Sequence, residues 1–173
     1  THAAMNLLRG LADDLPLMDW LQNHIWPTEA RHVNAEFVRI GSHLAMAEML
    51  RGGITCFNDM YFFPDSVAHA AKHCGMRAVV GLICLDFPTA WAQSAADYLD
   101  KGLALLDQFK GDSLIHAAFA PHAPYTVSDE PLKRIKTLAD ELELPVHMHV
   151  HETAFEVSSA ETQNGQRPLA RLD

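Results

Sequence analysis

Two stretches of the chain show the clearest hydrophobic patterns. In residues 34–51 the apolar side chains recur at helical spacing, and Gly52 and Gly53 follow directly, so a helix is predicted that ends there. Residues 77–85 are apolar almost throughout, which is typical of a parallel strand that is covered on both faces. The chain therefore contains both helices and buried strands.

Elements of the same two kinds alternate along the rest of the chain. Further strands are predicted at residues 54–57, at residues 114–120 and in the segment that begins at Pro145, and further helices at residues 64–74, 95–109 and 131–142. This order predicts βαβ units and a parallel sheet. No G-x-G-x-x-G turn is present to indicate a dinucleotide-binding fold, and we expect a barrel.

Polar residues follow the predicted strands at their carboxyl ends. Asn58 and Asp59 follow the first of these strands, His122 follows residues 114–120, and a histidine-rich run ends the last one. Ligand sites in barrels and in open parallel sheets lie at the carboxyl ends of the strands. The pattern therefore predicts a functional site at that end.

Composition limits the class of protein. The 173 residues are 49% hydrophobic and 20% charged, which is typical of a soluble globular protein with a sizeable core. The formal net charge of −9 and the absence of a Lys/Arg cluster argue against nucleic acid as a partner. No run of about 18 apolar residues is present, so no membrane span is expected. Three cysteines without a C-x-x-C spacing suit a reducing cytoplasm, which is the expected location.

Residues 145–153 concentrate metal-binding side chains. His147, His149 and His151 stand at alternate positions, and Glu152 follows. In a strand, alternate side chains share a face about 6.6 Å apart, and zinc binds imidazole nitrogen at about 2.0–2.1 Å, so at most two neighbouring histidines could bind one ion. Two interpretations stay open at this point: barrel-lining histidines satisfied by hydrogen bonds, or part of a hydrolytic metal site.

Five motifs spread along the chain carry a resemblance to a known family. They are residues 1–10, 26–31, 53–61, 121–125 and 149–153. Together they resemble the amidohydrolase superfamily, and within it they are most similar to the 5-methylthioadenosine/S-adenosylhomocysteine deaminases. The resemblance implies a (β/α)8 barrel with one divalent metal, usually zinc, with iron as an alternative.

The resemblance also implies roles for five residues. His2 stands at the second position of the family's H-x-H pair and His149 at its fifth-strand histidine, so both are expected to bind the metal. Glu152 corresponds to the catalytic residue that carries the proton and contacts the substrate. Glu29 corresponds to a carboxylate that binds the ribose, and His122 corresponds to a histidine that contacts the substrate.

Parts of the family's pattern have no counterpart here. The first histidine of H-x-H, a histidine after strand six and an aspartate after strand eight are missing. We therefore expect residues 1–173 to form an incomplete catalytic barrel domain: an α/β, partial (β/α)8 TIM barrel of the metal-dependent hydrolase type, with about strands 1 to 5 and their helices. Residues 84–92 lack the arginines with which some relatives hold the homocysteine carboxylate, so methylthioadenosine fits at least as well as S-adenosylhomocysteine. The roles of His147 and His151 stay open.

These features predict a zinc-dependent deaminase of an adenosine-type nucleoside. Zinc would make water nucleophilic at neutral pH, and Glu152 would carry its proton to the purine ring. One alternative is a hydrolase that removes chloride or an alkylamine from a triazine, which has no ribose for Glu29 to hold, or another nucleobase deaminase of the same superfamily. The other is a non-catalytic metal-binding scaffold. The expected partner is a small nucleoside rather than nucleic acid or a membrane, and a homo-oligomer is left open.

Overall fold

The computed structural model describes residues 1–173. The chain opens with a 3₁₀ helix, Ala3–Leu8, and includes one π-helical stretch, Trp20–Ile25. The strands are β1 (Cys56–Asp59), β2 (Arg77–Cys84) and β3 (Ile115–Pro121). The helices are α1 (Leu17–Asp19), α2 (Trp26–His32), α3 (Ala35–Arg51), α4 (Pro64–Cys74), α5 (Ala95–Gln108), α6 (Asp129–Leu142), α7 (Ala154–Asn164) and α8 (Pro168–Leu172). None of these helices is both long enough and apolar enough to cross a membrane.

The three strands form one parallel sheet in the order β1-β2-β3, so the predicted alternation of strand and helix is confirmed. Val80 and Leu82 are buried on the face of β2 that packs against helices. Helix α5 comes close to this face, because a Cβ atom on its Gly102 would lie only 3.2 Å from the Leu82 Cβ. Gly81 and Ile83 point to the opposite face, which is the inner side of the sheet.

The helix boundaries follow local signals in the sequence. Helix α3 begins after Asn34, whose side chain accepts a hydrogen bond at 2.9 Å from the backbone N–H three residues later. Helix α4 ends at Gly75, which adopts a φ of 68°. Helix α6 begins at Asp129 rather than at the predicted Pro131. The proline therefore lies inside the first turn, where its missing N–H breaks no helical hydrogen bond.

The histidine-rich segment lies alongside β3 as an extended chain. The Phe119 N–H donates to the Pro145 carbonyl at 2.9 Å, and the His147 N–H donates back to the Phe119 carbonyl at 3.0 Å. Farther along, the His149 N–H donates to the His122 carbonyl at 2.9 Å. The segment thus occupies the predicted place of the next parallel strand.

Two details of that prediction are wrong. The segment has a single β-bridge, between Phe119 and Val146, rather than the full ladder of a strand. His151 does not continue the alternation of His147 and His149, because its φ of 57° lies in the left-handed region and turns the chain.

The first residues of the chain lie beside the opposite edge of the sheet. The Thr1 nitrogen donates to the Asn58 carbonyl at 2.7 Å, and the Thr1 carbonyl accepts from the Met60 N–H at 2.9 Å. This is the hydrogen-bond pattern of parallel neighbours. It places His2 at the carboxyl end of β1.

Candidate metal centre and substrate pocket

A cavity of about 680 Å³ opens at the carboxyl ends of the strands. All five predicted site residues line it, although they are far apart in sequence: His2, Glu29, His122, His149 and Glu152. Its size is in the range of small-molecule sites. The predicted site residues are therefore brought together in one pocket.

His2 is held so that one ring nitrogen is free for a ligand. Its Nδ1 bonds to the Met60 carbonyl, and because a carbonyl only accepts, Nδ1 carries the proton and Nε2 carries a lone pair. Burial, together with the nearby His149, lowers the pKa of His2 to about 4. The ring is therefore neutral at pH 7, which is the form that binds metal.

His149 faces His2 directly. Their Nε2 atoms lie 3.1 Å apart. Two nitrogens bound to one tetrahedral zinc at about 2.0–2.1 Å lie roughly 3.3–3.4 Å from each other, so the observed separation is close to that of two ligands of the same ion.

His122 adds a third imidazole to this pair. One nitrogen from each of His2, His122 and His149 lies within 4.8 Å of the others. The Thr126 hydroxyl donates to the Ala123 carbonyl and so accepts from the His122 Nδ1–H at 3.0 Å, which leaves Nε2 with the lone pair. Burial lowers the pKa of His122 to about 3.

These three imidazoles suit a divalent transition metal, and the lowered pKa values of His2 and His122 keep those two rings neutral. Nitrogen ligands of this kind are typical of zinc and iron sites, and a bond from the second ring nitrogen to a carbonyl or hydroxyl is the usual way to orient them. The sequence predicted metal binding by His2 and His149 and substrate contact by His122. The geometry allows His122 either role, and its predicted contact with the substrate stays a prediction.

Glu152 lies at the rim of the pocket, in a turn braced from two sides. Its Oε2 accepts a hydrogen bond from the Tyr125 hydroxyl at 2.8 Å. The buried Glu156 carboxylate accepts from the backbone N–H groups of His151 and Glu152, at 3.0 and 2.7 Å. This brace holds the left-handed turn at His151 and keeps Glu152 on the lining of the pocket.

Glu29 lies on α2 and reaches into the apolar part of the pocket. Its Oε1 accepts a hydrogen bond from the Tyr61 hydroxyl at 2.7 Å, and burial raises the pKa of the Glu29 carboxyl. The Tyr61 ring in turn lies 5.8 Å from the His2 ring, centre to centre. Glu29 is thus an inward-facing carboxylate beside the histidine cluster.

The other two histidines of the segment lie outside this cluster. His147 faces the inner side of the sheet beside Gly81, and its Nδ1 accepts from the Asn58 side-chain amide at 2.9 Å. His151 is exposed, and its Nε2 accepts from the Leu169 N–H at 3.4 Å. These contacts support a structural role for both.

The structure adds residues to which the sequence assigned no role. Tyr61 and Tyr125 lie inside the recognised motifs, but nothing in their spacing shows that each bonds a pocket carboxylate. Thr126 and Glu156 likewise act through contacts that only the folded chain reveals. The apolar walls come mainly from residues 17–33 and 85–90, and 15 of the 23 lining residues are hydrophobic.

A parallel α/β sheet with a histidine cluster and carboxylates at its carboxyl edge has the architecture of a metal-dependent hydrolase barrel. Residues 1–170 match the amidohydrolase family, and the chain belongs to that family. Its fold is accordingly part of an amidohydrolase TIM barrel.

Two bacterial proteins are similar to this chain over nearly its whole length. The chain is 58% identical to a 5-methylthioadenosine/S-adenosylhomocysteine deaminase of Saccharophagus degradans, a match that covers 99% of this chain and 38% of the relative. It is 56% identical to the protein of the same name from Teredinibacter turnerae, over 99% of this chain and 39% of the relative. The chain thus spans about two fifths of the length of the curated relatives it matches.

Solved structures give the same result for the fold. A zinc-bound adenosine deaminase from Xanthomonas campestris superimposes with a TM-score of 0.97 at 58% identity, covering 99% of this chain and 39% of that one. Atrazine chlorohydrolase from Arthrobacter aurescens superimposes with a TM-score of 0.88 at only 17% identity, covering 99% and 44% of the two chains. The latter likeness concerns the fold alone.

Proposed function

We propose that the complete protein is a zinc-dependent deaminase of adenosine-type nucleosides, 5-methylthioadenosine or S-adenosylhomocysteine or both. It converts the 6-amino group to a 6-oxo group and releases ammonia. The observation that carries the proposal is the convergence of three histidines and two carboxylates on one largely apolar pocket. The names of the relatives support the same substrate class. Residues 1–173 contribute the first part of the barrel.

His2 and His149 hold the metal in this proposal, and His122 is placed to assist them or to contact the purine. When bound, a divalent ion acts as a Lewis acid that makes water nucleophilic near neutral pH. The chain's own contribution is to keep the imidazoles of His2 and His122 neutral and in fixed orientations. The Met60 carbonyl fixes the orientation of His2, and Thr126 fixes that of His122.

Glu152 is the proton carrier in this proposal. Water adds to C6 of the purine, and Glu152 takes a proton from it and passes that proton to the ring nitrogen. The hydroxyl now on C6 then gives its proton to the amino nitrogen, so that the bond from C6 to that nitrogen breaks, ammonia leaves and a 6-oxo group remains. The Tyr125 hydroxyl holds one carboxylate oxygen of Glu152 and leaves the other free for this transfer. A fixed carboxylate is needed because proton transfer requires hydrogen-bond reach.

Glu29 selects for a ribose in this proposal. Tyr61 occupies its Oε1, so Oε2 is available to accept hydrogen bonds from sugar hydroxyls. A triazine carries no such hydroxyls, so the Oε2 of this partly buried carboxylate would gain no partner from it. A nucleoside substrate therefore gives Glu29 a role, and a triazine substrate gives it none.

The rest of the pocket favours a neutral group at the 5′ position of the sugar. No lysine or arginine is among the 23 residues of this chain that line the cavity. The carboxylate of S-adenosylhomocysteine would find no cation among them, whereas a methylthio group suits apolar walls. Methylthioadenosine is therefore the first substrate to test.

The test is release of ammonia by the complete protein, depleted of metal and then reloaded with Zn²⁺ or Fe²⁺. Methylthioadenosine, S-adenosylhomocysteine and a chlorotriazine are compared under the same conditions, and chloride release is measured for the chlorotriazine because loss of its chlorine yields no ammonia. We expect metal-dependent turnover of the nucleosides and none of the triazine. Turnover that survives complete removal of metal, or turnover of the triazine alone, would contradict the proposal.

A further inference from the structure

Asp59, the last residue of β1, is a carboxylate in an unusual setting. It is only 1% exposed, and its Oδ2 atom has no hydrogen-bond partner in the folded chain. Burial raises the pKa of this carboxyl above its ordinary value. Because an unpaired buried acceptor destabilises a fold, a residue kept in this state calls for an explanation beyond packing.

The other oxygen of Asp59 makes two short contacts. Oδ1 accepts from the Ala3 backbone N–H at 2.8 Å and from the Thr1 hydroxyl at 2.6 Å. Thr1 and Ala3 are the residues on either side of His2. One carboxylate oxygen therefore holds the side chain before and the backbone after a predicted metal ligand.

The neighbouring residue, Met60, completes the attachment. Its N–H donates to the Thr1 carbonyl at 2.9 Å, and its carbonyl accepts from the His2 ring. The end of β1 thus contacts His2 by its side chain and by the backbone on both sides. A small shift of this backbone would move Nε2 away from the position 3.1 Å from the His149 Nε2.

We propose that Asp59 is a positioning residue for the metal centre, which clamps Thr1 and Ala3 so that the His2 Nε2 faces His149. The inference rests on the metal-binding role of His2 in the proposed function. Asp59 touches neither metal nor substrate and acts through the first turn of the chain. Loss of groups that orient a ligand typically weakens metal binding by about 10- to 100-fold.

The test measures zinc affinity in the complete, metal-depleted protein by competition with a chelator. Asp59→Ala is expected to weaken zinc binding by about 10- to 100-fold. Asp59→Asn is expected to stay within about fivefold of wild type, because its amide oxygen still accepts both bonds. Zinc binding by the alanine variant equal to wild type, or equal weakening in both variants, would overturn the proposal.

Phe57→Leu serves as the matched control. Phe57 is buried on the same face of β1 as Asp59, two residues earlier, and makes no bond to the clamped turn. The Phe57→Leu variant should have lower thermal stability than wild type, with unchanged zinc affinity and unchanged visible absorption of bound Co²⁺. Asp59→Ala should change that absorption, because it reports the arrangement of the ligands. If Phe57→Leu weakened zinc binding as much as Asp59→Ala does, Asp59 would have only a structural role.

The outcome is separable from the deaminase proposal. A wild-type protein that binds zinc but releases no ammonia would overturn the proposed reaction and leave the role of Asp59 supported by the affinity data. If the wild-type protein deaminates methylthioadenosine and Asp59→Ala binds zinc as tightly as wild type, the role of Asp59 is overturned and the proposed reaction is supported. A wild-type protein with no zinc affinity would overturn both.

Discussion

Glu29→Ala in the complete protein removes a carboxylate that only the folded chain brings into the pocket. A hydrogen bond to a charged acceptor contributes about 1.5–3 kcal/mol, so loss of the contact to ribose should lower kcat/KM for a nucleoside by about 10- to 140-fold. The Tyr61 hydroxyl, 2.7 Å from Glu29 in the wild type, loses its partner as well. The loss of the Tyr61 partner lowers the stability of the folded protein, so it affects the measured activity on every substrate equally.

The assay separates the two effects by comparing methylthioadenosine with free adenine, which has no ribose. The ratio of the two kcat/KM values should fall by about 10- to 140-fold in Glu29→Ala, because only the nucleoside loses a contact. Tyr61→Phe is the matched control: it removes the hydroxyl, keeps the carboxylate, and should change that ratio much less. Equal losses for nucleoside and adenine in Glu29→Ala would refute the assignment of Glu29 to the sugar.

Two further predictions concern catalysis and stability. Glu152→Gln should keep metal and substrate binding while turnover falls by about 10²- to 10⁴-fold, because glutamine cannot carry a proton. His149→Ala should lose the metal itself. Measuring metal content and ammonia release for both variants tests these predictions. Asp112 has its pKa lowered from 3.8 to about 2, chiefly by its hydrogen bond from Lys72. Because its pKa is lower in the folded state, its contribution to stability is complete above about pH 4 and is lost as the pH falls towards about 2. The gap in unfolding free energy between wild type and Asp112→Asn should narrow over that range in urea titrations; a constant gap would contradict this.

The sequence was sufficient for the three strands and for helices α3 to α6, whereas the helices of residues 3–32 and helices α7 and α8 were not predicted. Helix α3 and helix α4 end at the glycines that follow them, because these stop signals are local. The apolar run of residues 77–85 became the central strand of the sheet for a related reason, since a strand covered on both faces needs apolar residues throughout. Such features depend on neighbours a few residues away.

The histidine-rich segment shows where local reasoning fails. Alternation predicted one shared face for three histidines, but the left-handed turn at His151 is imposed by Glu156, which bonds the backbone there from the next helix. Likewise, the family pattern gave His122 a role at the substrate, and only the tertiary structure showed its nitrogen among those of His2 and His149. These relations join residues that are distant in sequence, and no periodicity records them.

The pocket is built from two parts of the fold, the strand ends and the segments outside the sheet. The imidazoles lie at the carboxyl ends of the strands, where the Met60 carbonyl fixes His2 and Thr126 fixes His122. Glu29 and most of the apolar wall belong instead to residues 17–33 and 85–90, outside the sheet. Substitutions that accumulate in those outer segments can alter which molecule fits without disturbing the groups that would carry out hydrolysis. Over evolutionary time, descendants of such a protein can therefore change their substrate while keeping the same reaction.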